Sequence, residues 1–121
     1  MMQIDFTQAI TAVAKAAEAA AVRAAAIKAE CRARILVVGS ETTQMNIAQA
    51  GIVFTAAVLD GNPREAALAA SGLQEGDLAL AQAWKAWVAA MQSACRTAIV
   101  ESTDPVWPDV PSGVADLAAR F

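Results

Sequence analysis

Every seventh residue from Ile10 to Leu59 is apolar: Ile10, Ala17, Ala24, Cys31, Val38, Met45, Ile52 and Leu59. A row with that period belongs on a helix that lies against other helices. It carries no nucleophile–base pair. Between Thr7 and Val38 there is no Gly or Pro, and Ala, Glu, Lys and Arg, all strong helix formers, dominate. Asp5 with Gln8 three residues later makes a capping-box start. Ile10, Val13, Ala17, Ala20, Ala24, Ile27 and Cys31 alternate spacings of three and four, the seam of a coiled coil. Glu30 and Arg34 stand four apart, in the order that favours an ion pair on a helix.

The segment Arg34–Ser40 reads two ways. Its β-branched run and closing Gly39 look locally like the first strand of a nucleotide-binding α/β unit. No Gly-x-Gly-x-x-Gly pattern follows, no second strand of similar strength appears, and the seven-residue row passes through Val38 to Met45 in phase. Gly39 inside a helix costs about 1 kcal/mol relative to Ala. The reading favoured by phase is one continuous helix to Leu59, with a break or kink near Gly39 as the alternative.

The cluster Asp60-Gly61-Asn62-Pro63 stops that helix, with Gly61 suited to a left-handed C-cap. Asn62 as N-cap and Pro63 at the first helical position start a short second helix that ends at Ser71-Gly72. A third helix is expected from about Glu75 to Ser102. Its apolar face is Leu80, Trp84, Trp87, Val88, Met91, Cys95 and Ile99. Folded back on the first helix, it brings Val38 near Cys95 and Met45 near the Trp residues. The hairpin core is therefore expected from Cys31, Val38, Met45 and Ile52 on one side and that apolar face on the other. Prolines at 105, 108 and 111 have the period of polyproline II. This gives an extended strap pinned by Trp107, before a short helix that starts at Ser112 and docks Val114, Leu117 and Phe121.

The fold class is thus all-α: a long Ala-rich N-terminal helix, a helical hairpin, a Pro-rich strap and a short final helix. At 121 residues the chain is one domain, divided into an oligomerisation helix (7–30), the hairpin (31–102) and the strap with its final helix (103–121). About a quarter of the residues are Ala, and three Phe, three Trp and no Tyr supply the aromatic bulk. Such a composition suits closely packed helices better than a compact monomer. Ile10, Val13, Ala17, Ala20, Ala24 and Ile27 form the expected partner interface, because an Ala seam is marginal alone in water.

Function classes are narrowed mainly by what is missing. There is no His, so neither a Ser/His or Cys/His nucleophile pair nor a His metal ligand exists. The two Cys have no metal or redox spacing and read as small buried residues. Glu75 and Asp77 stand where acids favour a helix dipole. Asp60-Gly61-Asn62 is a turn, since the further acidic ligands of a calcium loop do not follow. Trp84 and Trp87 read as core packing, and the Pro-x-x-Pro run as a strap over the chain's own surface, more readily than as an aromatic platform or a peptide ligand. A net charge of −3 and no basic stripe argue against nucleic acid. No apolar run reaches the roughly 20 residues of a membrane span, and no basic n-region marks a secretory leader. No enzyme activity, cofactor or metal is expected.

Several stretches resemble the small tail-fibre-associated proteins of tailed bacteriophages and prophages. These are Ile4-Asp5-Phe6 before an Ala/Lys/Glu-rich helix, the run Ala29 to Ile35, Thr43-Gln44-Met45-Asn46-Ile47-Ala48, Ala83 to Met91 with Ala94-Cys95 after it, and Trp107 to Val114 closing on Leu117 to Phe121. The resemblance spans most of the chain and rests on structural positions. It implies a non-enzymatic tail component in the virion, made in the bacterial host cytoplasm. Such a component would contact itself, with a trimer by analogy, and other tail proteins. The alternative it leaves is an assembly chaperone that binds a fibre protein and is absent from the finished particle.

Overall fold

The computed structural model describes residues 6–121. Five helices follow in order: α1 (Phe6–Val38), α2 (Glu41–Leu59), α3 (Arg64–Ser71), α4 (Asp77–Glu101) and α5 (Val114–Ala119), with no strand among the described residues. The strand-like run Arg34–Val38 is therefore helical. The capping box built on Asp5 lies outside the described residues.

The continuous helix through Gly39 is corrected. Helix α1 ends at Val38 and α2 starts at Glu41. Ser40 is the N-cap, its Oγ accepting from the Thr43 N–H at 3.1 Å, and Gln44 Nε2 donates to the Gly39 carbonyl at 3.0 Å. These bonds satisfy groups that a helix end leaves open. Gly39 is buried, and a Cβ there would stand 2.7 Å from Trp84 Cζ2. The helix is interrupted beside a residue small enough to admit the indole.

Helices α1 and α4 pack as an antiparallel pair. Arg23 reaches the Ala98 and Thr103 carbonyls at the C-terminal end of α4. Cys31 and Cys95 share one buried cluster and line one groove, and Gly39 meets Trp84. The expected register, with Val38 at Cys95 and Met45 at the tryptophans, is thus displaced by about two helical turns. The core beside this pair holds Ile27 and Cys31 of α1, Ile47 of α2, and Trp84, Trp87, Met91, Cys95 and Ala98 of α4, closed by Val114, Leu117 and Ala118 of α5. Val38, Leu80, Val88 and Ile99 pack against it partly buried.

Met45 and Ile52, expected in this core, are 59% and 68% exposed. The break at Gly39 rotates the buried face of α2 onto Ile47, Ala50 and Phe54, which also have helical spacings of three and four. Helix α2 packs on α3 around a second cluster of Ala50, Phe54, Ala67 and Leu73, and Phe121 touches both clusters.

The connection α2–α3 is a Schellman motif: Gly61 has φ +86°, its N–H donates to Val58 and that of Asn62 to Ala57. Asn62 is not the cap of α3. Its side chain donates to the Ala57 carbonyl at 3.0 Å, and Pro63 holds the N-cap position without a side-chain bond. Gly113, not Ser112, holds the N-cap position of α5. The non-helical residues 103–113 make contacts along both long helices. Trp107 Nε1 donates to Glu30 at 3.2 Å, Arg34 lies over the Trp107 ring, Trp87 Nε1 donates to the Pro108 carbonyl at 2.9 Å, and Gly113 abuts Leu80.

Candidate functional site

The stripe that buries Ile27 and Cys31 against α4 does not stop where α4 stops. Toward the N-terminus it continues as Ala24, Ala20, Ala17, Val13 and Ile10, and one step further to Phe6. Arg23 marks the boundary: its guanidinium takes up carbonyls at the C-terminal end of α4, where a cation is also favoured by the helix dipole. Beyond it, residues 6–22 are exposed on every face. At 1.5 Å per residue this arm is roughly 25 Å long. Ile10 and Val13 are each 70% exposed and Phe6 73%. Ala17 and Ala20 are exposed and Ala24 half-buried.

Of the six residues expected at a partner interface, Ile27 is corrected. It is buried in the chain's own core, because α4 extends far enough to cover it. Phe6, four residues before Ile10 and likewise exposed, continues the same row of apolar residues.

A second apolar surface lies on α2, where Met45, Ile52 and Leu59 stand exposed at intervals of about two turns. Between α2 and α4 a groove of about 560 Å³ is floored by Ile47, Gly51, Trp84 and Val88 and edged by Gln44 and Lys85. Trp84 Nε1 is buried without a hydrogen-bond partner among the described residues.

Two acidic groups tie the start of α4 to other parts of the chain. Asp77, 2% exposed, opens α4, accepts from the Gln74 N–H at 2.7 Å and pairs with Arg120 at 2.5 Å. Burial pushes its pKa up, but the Arg120 guanidinium and the Gln74 N–H together hold it below the usual Asp range. The helix-start role expected for Asp77 is thus joined by a tie to the C-terminus. Glu75 takes the exposed Arg64 guanidinium through both carboxylate oxygens, which holds its pKa low. Burial, then the neighbouring Cys95, push the Cys31 thiol up. No group of three or more His, Cys, Asp and Glu side chains that could hold a metal ion occurs among the described residues. No helix among them is long and apolar enough to cross a membrane.

The strap anchors expected from sequence sit as follows. Trp107 is half-buried between Arg34 and Glu30, and Phe121 is half-buried where the two clusters meet. No family model, curated protein or solved structure matches the chain.

Proposed function

We propose that the chain is a non-enzymatic structural component of a phage-like tail, associated with its fibre or tip, that assembles as a helical oligomer through the arm. The observation that carries the assembly reading is the continuity of one seam. Its inner part is covered by α4, and its outer part, from Phe6 to Ala20, has the same spacing and no cover among the described residues. A partner helix laid on the arm would continue the packing that α4 begins. Small Ala side chains let two helix backbones approach closely, and Phe6, Ile10 and Val13 supply the bulky knobs that a coiled coil needs. The Pro-rich residues 103–113 act as a strap that holds the hairpin as a rigid base for the arm.

The tail setting rests on the resemblance of the motifs to tail-fibre-associated proteins, and a trimer rests on analogy with fibre symmetry. Multi-angle light scattering on the full chain tests the assembly: an oligomer at micromolar concentration is expected, and a monomer there would refute self-association through the seam. Mass spectrometry of purified particles tests the setting. Presence supports the structural role. Absence, with a fibre protein bound in solution, supports the alternative of an assembly chaperone.

A further inference from the structure

The chain has two cysteines, 64 positions apart in sequence, and the fold brings them together. Cys31 of α1 and Cys95 of α4 are buried in the same cluster, both as free thiols. They also line one groove of about 430 Å³ between the two helices, with Lys28, Arg32 and Arg96 at its rim and Glu41 paired to Arg32. We propose that Cys31 and Cys95 are a reversible redox pair, oxidised by small anionic disulfides such as glutathione disulfide to an intramolecular bond that staples α1 to α4 below the arm.

The groove gives a small oxidant a way in, and its three cationic side chains favour an anionic one. In the first step one cysteine thiolate attacks a sulfur of glutathione disulfide. A mixed disulfide forms and one glutathione thiolate leaves. The second cysteine thiolate then attacks the protein sulfur of that mixed disulfide and expels the other glutathione. Two protein thiols are oxidised, one glutathione disulfide is reduced to two thiols, and the two cysteine protons pass to the departing thiolates. A buried thiol is a poor thiolate, so conversion takes place over hours in a glutathione buffer. The bond closes a long loop, which restricts the unfolded chain and stabilises the fold. It also fixes the antiparallel register at the base of the arm. This inference does not depend on the assembly reading.

The test uses the full chain in an oxidised glutathione buffer. Intact mass is expected to fall by two hydrogens, and proteolysis to yield one peptide pair joined through Cys31 and Cys95. Tm should rise by roughly 5–15 °C, and all three changes should reverse with dithiothreitol. The Cys95→Ser variant, checked for folding by circular dichroism, should stop at a glutathione adduct on Cys31. The proposal is overturned if both thiols of the oxidant-treated native protein remain alkylatable after unfolding. It is equally overturned if oxidation ends in stable glutathione adducts or cross-linked dimers. These readings come from the unmodified chain and stand whether or not the variant folds.

Discussion

Asp77 is a buried carboxylate whose partner, Arg120, is only about a third exposed, and the two differ in what their removal leaves behind. Arg120→Ala strands a charge in the core, a loss of about 2–4 kcal/mol. Asp77→Asn leaves Arg120 free to turn toward water and keeps an acceptor for Gln74, so it should cost about 1–2 kcal/mol. Urea denaturation of the two variants checks that order. Because the folded-state pKa of Asp77 lies below its unfolded value of about 3.9, its contribution is complete above that value. It is lost as pH falls through the lower folded pKa. Wild-type stability should therefore drop more steeply between about pH 5 and pH 2 than that of Asp77→Asn. Two glycines give a second contrast. A methyl group at Gly39 collides with the Trp84 ring, whereas at Gly51, in the middle of α2, it meets nothing within 4 Å. Gly39→Ala should cost about 1–3 kcal/mol by overpacking and shift the Trp emission. Gly51→Ala should gain about 0.5–1 kcal/mol from helix propensity.

At the scale of elements, what could be read from sequence depended on whether a signal was local. The face of α4, from Leu80 to Ile99, was legible because its spacings occur within one uninterrupted helix with a Trp pair to mark the core side. The Gly61 stop was legible because a left-handed C-cap favours a glycine. The junction at Gly39 was legible only as the alternative reading, since the sevenfold row crosses it in phase, and phase alone cannot distinguish one helix from two. The signal that decides it is the Ser40–Thr43 cap, visible as a Ser three residues before a Thr, together with a need for space at Gly39 that only Trp84, 45 positions away, creates. Met45 and Ile52 were assigned to the core by extending the row past that junction. The Asp77–Arg120 tie joins residues 43 apart, and no local pattern announces it. The rotated face of α2 yields a direct check. Ile47→Ala should cost about 2–4 kcal/mol, as a truncation in a packed core does, whereas Ile52→Ala should fall within about 0.5 kcal/mol of wild type. Equal losses at both positions would place α2 in the register of the continuous helix.

For the whole molecule the question is why a chain this rich in Ala holds an arm of roughly 25 Å away from its own core. A single helix of that length gains little from packing on nothing, and without tertiary contacts it is near the limit of stability in water. Its helicity should therefore report on assembly. In a monomer the residues before Arg23 should fray, whereas in an oligomer they gain the cover that Ile27 and Cys31 have from α4. Ile10→Glu combined with Ala17→Glu places charges on the exposed seam and leaves the α1–α4 core untouched. This double variant should reduce light-scattering mass to the monomer and lower helical ellipticity by about the share of the arm. The cooperative unfolding of the hairpin should remain, because Trp84, Trp87 and Met91 are unaffected. A control at Lys15 and Glu18, which lie off the seam, should leave both readings as in wild type. If the seam variant stayed oligomeric, the exposed row Met45, Ile52 and Leu59 of α2 would be the contact between copies. Ile52→Glu would then be the substitution that separates them.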